Sequence, residues 1–201
     1  MRRLSRQYWK IKFWENYLNL FIRPPKDLFA VQGYLHLLEA KFLYWLAAQV
    51  PERGLALEIG SFKGKSSCFV AAGLPVNAKL ICVDTWQNDA MPYDSQTDVL
   101  PEFLNNTKKY RERIEVNRGR SLDVASRWSR PLDFLFIDGD HSYEGCSADL
   151  RAWLPFVKSG GWIAFHDSSE PGVTKAIAEL FPPAARTGDC QSWSIFAARK
   201  K

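Results

Sequence analysis

From residue 55 onward, short apolar runs alternate with segments that are long enough to form helices. Strands buried on both faces of a parallel sheet are continuously apolar, because helices cover both faces of such a sheet. The alternation therefore predicts a doubly wound, Rossmann-like α/β fold with a mostly parallel sheet. The runs predicted to be strands are Leu55–Ile59, Leu80–Val83, Ile114–Val116, Asp133–Ile137, Gly161–Phe165 and Trp193–Ala197.

The segments between these runs have the apolar spacing that amphipathic helices show. After Pro182 only a strand, a turn and a second strand fit before the chain reaches Lys201. We therefore expect an antiparallel hairpin at the C-terminal edge, which brings the sheet to seven strands. The helices predicted for this region are Lys65–Gly73, residues 99–110, Tyr143–Phe156 and Val173–Phe181.

The N-terminal residues predict a helical extension of this domain. Apolar side chains recur there at steps of three and four residues, which places them on one face of a helix that Pro24 ends. A second helix is predicted from Tyr34 to Val50. We assign residues 1–33 to a basic, aromatic helical arm and residues 34–201 to one globular domain. The face of the first helix comprises Leu4, Tyr8, Ile11, Trp14, Leu18 and either Phe21 or Ile22.

The positive charge of the chain is concentrated in this arm. The net charge is +5 at pH 7, but residues 1–26 alone contain seven Lys or Arg, among them Arg2 and Arg3, and one Glu. The remaining residues are close to neutral, which argues against a nucleic-acid partner. We expect the arm to pack against the domain or against a second copy of the chain in a homodimer. Contact of the arm with an anionic membrane surface is the alternative.

Composition narrows the class of protein further. Apolar residues make up 46% of the chain, enough for a large core, yet no apolar run approaches the ~18–20 residues of a membrane helix. The N-terminus lacks the compact apolar segment of a secretory signal, so we expect a cytoplasmic protein. The four cysteines are far apart and form no C-x-x-C pair, which argues against a zinc knuckle or a disulfide scaffold.

Polar residues follow the C-terminal ends of four predicted strands. Glu58 precedes a glycine turn, and Asp84 ends the next run. Asp138 follows the fourth run, and His166 and Asp167 follow the fifth. The carboxyl ends of parallel strands lie side by side at one edge of a sheet, where ligands bind at the reversal of strand order. We therefore expect these residues to share one site.

The first of these strand ends is a glycine turn that leads into a helix. Gly60 and Gly64 permit a close approach of the backbone, and Ser61 and Ser66 place hydroxyls beside the free N–H groups of a helix start. The turn is one residue short of the G-x-x-x-x-G-K-[ST] phosphate loop.

Two further residues narrow the class of nucleotide. Phe62 stands where a dinucleotide fingerprint has the second glycine, which lets the pyrophosphate approach the backbone. Asp84 ends the next strand, where a carboxylate accepts hydrogen bonds from ribose hydroxyls. The combination favours a nucleoside without a pyrophosphate.

These residues resemble class I S-adenosylmethionine-dependent methyltransferases. Residues 55–66 (LALEIGSFKGKS) are similar to the first motif of that family, and residues 83–86 (VDTW) to its ribose-binding second motif. Residues 136–144 (FIDGDHSYE) and 160–167 (GGWIAFHD) resemble small-molecule O-methyltransferases. That group includes macrolide-sugar methyltransferases and is related to the catechol and caffeoyl-CoA enzymes. The resemblance covers about residues 34–198.

The resemblance implies a binding site for S-adenosylmethionine. It assigns the methionine moiety to the glycine turn, the ribose to Asp84 and the adenine edge to Ser121. Arg120 departs from the family pattern, which often has an acidic residue beside that serine. The cofactor-binding residues implied in this way are Glu58, Gly60, Ser61, Gly64, Ser66, Asp84, Thr85 and Ser121.

The resemblance also implies a catalytic centre at the ends of the fourth and fifth strands. Asp138, His166 and Asp167 are predicted to hold Mg²⁺ or, because an imidazole favours a softer ion, Mn²⁺ or zinc. The alternative is that His166 and Asp167 order their loop and orient the substrate without a metal. His141 is the candidate general base beside Asp138, because an imidazole with a pKa near ~6.5 accepts a hydroxyl proton near neutral pH.

The function implied is transfer of a methyl group from S-adenosylmethionine to a hydroxyl oxygen of a small molecule or glycan. Two other hypotheses stay open at the level of sequence. One is a non-catalytic nucleoside-binding module that docks a partner through its arm. The other is a phosphoryl-transfer protein whose phosphate loop the Gly60 turn approximates.

Overall fold

The computed structural model describes residues 6–87 and 97–201, with side chains from residue 12 onward. Within these ranges the chain forms a seven-stranded sheet of order β3-β2-β1-β4-β5-β7-β6. Its strands are β1 (Leu55–Ile59), β2 (Lys79–Asp84), β3 (Ile114–Arg118), β4 (Leu132–Ile137), β5 (Val157–Phe165), β6 (Arg186–Ser192) and β7 (Ile195–Lys200). The α-helices are α1 (Arg6–Phe21), α2 (Leu37–Ala47), α3 (Lys65–Gly73), α4 (Leu100–Thr107), α5 (Ser121–Ala125), α6 (Tyr143–Trp153) and α7 (Pro171–Leu180). Short 3₁₀ helices lie at Lys26–Ala30, Lys108–Tyr110, Leu154–Phe156 and Pro183–Ala185.

The strand directions confirm the predicted fold class. Strands β1 to β5 pair with one another in parallel, whereas β7 is antiparallel to both β5 and β6. The strand order reverses at β1, which lies between β2 and β4. Ile59 of β1 is in register with Ile137 of β4. The residues that follow these two strands are therefore neighbours at the carboxyl edge, where the ligands of such sheets bind.

The C-terminal hairpin differs in detail from the sequence prediction. Trp193, the predicted start of the last strand, lies instead in the turn after β6, with a φ of 53°. That boundary is wrong because the chain has to reverse between Ser192 and Ile195. Helix α5 and the 3₁₀ helix at Lys26–Ala30 have no counterpart in the prediction, since segments this short carry too few apolar residues to show a period.

The hydrophobic core lies on both faces of the sheet. Side chains alternate along a strand, so β1 contributes Ala56 to one face and Leu57 to the other. Helices α2 and α3 cover the first face and contribute the buried rings of Phe42 and Phe69. Helix α6 covers the second face with Trp153, which is fully buried. The sheet is thereby fixed from both sides, and its carboxyl edge is held in place.

Helix α1 packs onto the domain. Leu18 is fully buried in the core, and the ring of Trp14 lies 4.6 Å from that of Trp45 on α2. Ile22 packs against the same cluster, whereas Phe21 is exposed, so Ile22 completes the buried face. Packing of the arm against the domain, one of the two expectations for it, is what the structure shows.

The packing of α1 on the domain does not test the other predictions for the arm. The division at residues 33 and 34, the homodimer and the membrane contact stay predictions. Among the described residues, no helix has the length and apolarity that crossing a membrane requires. The predicted arm residues outside the described set are Arg2, Arg3 and Leu4, together with the side chains of Tyr8 and Ile11.

Candidate active site

A cavity of about 970 Å³ lies at the carboxyl edge of the sheet. The ends of β1, β2, β4 and β5 all contribute to its wall, as the positions of the polar clusters predict. Neighbouring strands are ~4.8 Å apart, so the ends of β2 and β5 are separated by about 14 Å. The cavity therefore has a β2 side and a β5 side. The sequence-predicted residues in its wall are Gly60, Ser61, Ser66, Asp84, Thr85, Ser121, Asp138, His141, His166 and Asp167.

Glu58 lies beneath the glycine turn and is not among the residues that line the cavity. Its side chain is fully buried, and Oε2 accepts hydrogen bonds from Ser61 Oγ at 2.8 Å and from Ser67 Oγ. Burial raises the pKa of Glu58 to about 6, although hydrogen bonds from Ser66, Ser67 and Ser61 oppose the rise. These hydrogen bonds to Glu58 stabilise the turn in its observed conformation. Ser67 is a hydrogen-bond partner that the sequence did not indicate.

The two glycines of the turn have different neighbours. Gly60 has a φ of 84°, and a Cβ there would lie 1.9 Å from the Asp138 carbonyl oxygen, so only glycine fits between β1 and β4. Gly64, the N-cap of α3, has a φ of 85°, and a Cβ there would approach Thr107 and Phe103 to 2.8 and 2.9 Å. Gly64 thus packs against α4, while Gly60 borders the cavity.

Asp84 lines the cavity and also orders the backbone around it. Its Oδ2 accepts from the Phe62 amide at 2.7 Å, and its Oδ1 accepts from the Trp86 amide at 2.7 Å. Trp86 is fully buried, and its indole Nε1 donates to the Phe62 carbonyl at 2.9 Å. Asp84 therefore ties the glycine turn after β1 to the loop after β2, at the wall of the cavity.

Ser121 stands at the start of α5, with Arg120 and Leu122 beside it in the cavity wall. Its Oγ accepts from the Trp153 indole at 2.8 Å. Asp149 lines the same region; burial raises the pKa of this carboxyl to about 6, while a hydrogen bond with Ser121 opposes the rise. At pH 7 the Asp149 carboxyl is therefore mainly ionised, with a minor protonated fraction, and its oxygens act chiefly as hydrogen-bond acceptors.

The ends of β4 and β5 bring together two imidazoles and two carboxylates. His166 Nδ1 lies 3.1 Å from Asp138 Oδ1 and 3.2 Å from Asp167 Oδ2. His141 bridges the same carboxylates, with Nε2 3.4 Å from Asp138 and Nδ1 3.3 Å from Asp167. The sequence predicted that these four residues share a site, and the structure places them in one cluster.

The carboxylates change the acidity of both imidazoles. Hydrogen bonding to Asp138 raises the pKa of His141 above its usual value near 6.5, and burial opposes this rise. Burial alone would lower the pKa of His166, but the facing carboxylates of Asp138, Asp167 and Glu39 outweigh it and raise this pKa. The cluster therefore favours positive charge, whether on protons or on a bound cation.

The donor set of this cluster fits a divalent cation. One ligand atom each from Asp138, His141 and His166 lies within 4.8 Å of the others. Both ring nitrogens of His166 are buried, and neither has a hydrogen bond of good geometry. Carboxylate oxygens suit Mg²⁺ or Mn²⁺, and imidazole nitrogens suit softer ions. This triad shares Asp138 and His166 with the predicted set, which has Asp167 in place of His141.

The wall of the cavity also includes a segment that the sequence did not single out. Gly33, Tyr34 and Leu35, which precede α2, line the cavity, and the Tyr34 ring is stacked on Phe62 with centroids 6.0 Å apart. Lys65 Nζ donates to the Gly33 carbonyl at 3.2 Å and so ties this segment to α3. No local motif marks these residues, because only the folded chain brings them to the turn.

Residues 57–168, more than half of the chain, match the family model of the methyltransferase domain. The chain belongs to this methyltransferase family. With its sheet order, this confirms the predicted recognition as a class I methyltransferase with a Rossmann-like fold.

Curated relatives of this methyltransferase are similar over part of their length. The uncharacterized protein R132 of Acanthamoeba polyphaga mimivirus is 35% identical over 136 residues, which cover 62% of this chain and 59% of that protein. The catechol O-methyltransferase of Niastella koreensis is 26% identical over 106 residues, covering 51% and 44% of the two chains. The methyltransferase thus spans less than two thirds of either relative.

A solved structure supports the fold over nearly the whole chain. The O-methyltransferase from Bacillus cereus in complex with SAH is 20% identical, with a TM-score of 0.66. The alignment covers 94% of this chain and all of that one. Similarity at this identity establishes the shared fold.

Proposed function

We propose that this methyltransferase transfers the methyl group of S-adenosylmethionine to a hydroxyl oxygen of a small molecule. The observation that carries the proposal is that the two sides of one cavity are lined by residues of different chemistry. The β1 and β2 ends supply a glycine turn and Asp84, which suit a nucleoside with an amino-acid tail. The β4 and β5 ends supply His141 and its carboxylates, which suit proton removal. A cofactor bound on the first side would direct its methyl group toward the second.

In this proposal the protein binds the two reactants, orients them and accepts one proton. His141 removes the proton of the acceptor hydroxyl, and Asp138 and Asp167 hold the imidazole and stabilise the imidazolium that forms. The oxygen then forms a bond to the methyl carbon as the bond from carbon to sulfur breaks, which releases S-adenosylhomocysteine. Holding the two reactants in line lowers the entropic part of the barrier.

A divalent cation is the second part of the proposal. Asp138, His166 and Asp167 would hold it, as the donor set and the buried nitrogens of His166 indicate. When bound, it would act as a Lewis acid that lowers the pKa of the acceptor hydroxyl. The acceptor class that we propose is a vicinal hydroxyl pair, on a sugar or on a catechol, because two adjacent oxygens can engage the centre together.

Calorimetric titration with S-adenosylmethionine in the presence of a chelator tests the cofactor half of the proposal. Binding is expected in the wild type. Asp84→Asn should weaken it about 10-fold or more, because a charged acceptor of ribose hydrogen bonds contributes ~1.5–3 kcal/mol. Asp189→Asn, in an exposed aspartate of β6 that pairs with Arg186, is the matched control and should not change the affinity. Absence of binding in the wild type would refute the proposal.

Methylation assays with a panel of sugars and catechols test the acceptor half. Transfer that requires Mg²⁺ or Mn²⁺ would support the cation, and full activity in chelator would remove it from the mechanism. Cofactor binding without transfer to any acceptor would support a non-catalytic module instead. ATP binding that depends on Lys65 would support the phosphoryl-transfer hypothesis.

A further inference from the structure

Glu39 reaches the catalytic cluster from helix α2, a part of the chain that carries no recognised motif. Its carboxylate is buried, with only 3% of the residue exposed. Oε2 lies 3.5 Å from Nε2 of His166 and accepts from the His36 amide at 2.7 Å. Oε1 accepts from the amide and the hydroxyl of Ser194, in the turn between β6 and β7. Hydrogen bonds to both oxygens of Glu39 therefore hold its carboxylate in contact with His166.

The two nitrogens of His166 face different groups. Nδ1 faces Asp138 and Asp167, and Nε2 faces Glu39. A neutral imidazole has one N–H and one lone pair, and the partner of one nitrogen decides which nitrogen carries the proton. A histidine that binds a metal ion is the neutral imidazole. With the Glu39 carboxylate 3.5 Å from Nε2, the proton of that form is favoured at Nε2, which leaves the Nδ1 lone pair directed between Asp138 and Asp167.

We propose that Glu39 is a positioning residue for His166: its carboxylate faces Nε2 and favours the proton there, which directs the Nδ1 lone pair to the point where Asp138 and Asp167 converge and so increases the affinity of the chain for a divalent cation. Histidines that bind metals commonly donate their other N–H to a carboxylate, which fixes the ring and raises its basicity. The inference rests on the proposed function, since the cation is the one assigned there to the β4 and β5 ends.

Binding of Mn²⁺ to the full chain, followed by the EPR signal of free Mn²⁺ without acceptor, tests this assignment. Glu39→Gln should weaken binding about 10- to 100-fold, the usual effect of losing such a partner. Every group that faces the two oxygens of Glu39 is an N–H or O–H donor. In Glu39→Gln the side-chain NH₂ would therefore face one of these donors, and that hydrogen bond would be lost. Glu39→Asp, which keeps the charge but shortens the reach, should also weaken binding.

A double-mutant cycle separates positioning from general support of the fold. Asp138 and Asp167 retain weak affinity in His166→Ala, measurable at millimolar Mn²⁺. If Glu39 acts through His166, Glu39→Gln causes no further loss in the His166→Ala background. An equal loss in both backgrounds would overturn the proposal.

Asp133→Asn is the matched control for loss of a buried carboxylate. Asp133 lies at the opposite end of β4, accepts from the Leu55 amide at 2.9 Å and pairs with Lys158. Its substitution should lower stability and leave the Mn²⁺ affinity unchanged. Wild-type protein that binds no Mn²⁺ would also overturn the assignment of Glu39. Cofactor binding and methyl transfer in chelator would in that case leave the proposed transferase function standing.

Discussion

At the scale of single residues, the proposed role of His141 as general base depends on its position. Its two ring nitrogens lie within 3.4 Å of Asp138 and Asp167, and the ring is half-buried in the cavity wall. As the proposed base, His141 would exchange one of these carboxylate contacts for the acceptor hydroxyl. Geometry in the free protein is commonly looser than in the substrate complex, and the spacing here leaves room for that exchange.

The first prediction concerns this base. His141→Ala should lower kcat by about 10²- to 10⁴-fold, the usual contribution of a general base, without changing the affinity for S-adenosylmethionine. Because Asp138 raises the pKa of His141, the neutral base is scarce below that pKa, and kcat/KM of the wild type should increase with pH through a value above 6.5. Steady-state rates from pH 5.5 to 9 measure this, and normal turnover of the variant would contradict the assignment.

At the scale of elements, the arm helix belongs to the core. Leu18→Ala should destabilise the protein by about 2–5 kcal/mol, because it removes a fully buried side chain. Leu20→Ala changes the same residue type two positions along the helix, where the side chain is 64% exposed, and should change stability by less than about 0.5 kcal/mol. Urea unfolding followed by circular dichroism compares them. Equal effects would mean that α1 is detached in solution.

The junction of β1 and β4 gives a third prediction. Gly60→Ala should abolish cofactor binding and reduce stability, because its Cβ would lie 1.9 Å from the Asp138 carbonyl oxygen and force the two strand ends apart. Gly160→Ala is a matched control with a similar φ of 79° but no atom within 4 Å of the added carbon. It should cost only the ~1–2 kcal/mol of a strained backbone. Thermal melts and calorimetry separate the two effects.

At the scale of the whole molecule, Glu58 contributes to the pH dependence of stability. Its folded-state pKa of about 6 exceeds the ordinary value of 4.5, because the ionised form is buried. A group with a raised acid pKa stabilises the fold fully below its unfolded value and loses this contribution as the pH rises through the folded value. The loss for Glu58 lies between about pH 4.5 and 6.

The fourth prediction follows from that sign. The free energy of unfolding of Glu58→Gln, relative to the wild type, should increase by about 2 kcal/mol between pH 4.5 and pH 7 and stay constant above it. Any constant cost of replacing an oxygen by an amide cancels in this comparison. Urea unfolding at a series of pH values gives the difference, and a difference that does not vary with pH would show that Glu58 is hydrated.

The sequence by itself determined the alternation of strands and helices and the polar strand ends. These are local patterns: continuous apolar runs identify buried strands, and residues such as Asp84 and Asp138 mark where the strands end. Because parallel strands share one carboxyl edge, these local signals also predicted one site. The hairpin at the sheet edge followed from chain connectivity, whereas the order of the strands came from the structure alone.

Only the tertiary structure decided which residues line the cavity and which lie beneath its wall. The resemblance assigns Glu58 to the cofactor, and the fold buries its side chain beneath the turn, because it points from β1 to the same face of the sheet as Ala56. Glu39 and Tyr34 reach the site from more than a hundred residues before His166. Such contacts depend on how α2 packs over the sheet, and the sequence near the motifs carries no trace of that packing.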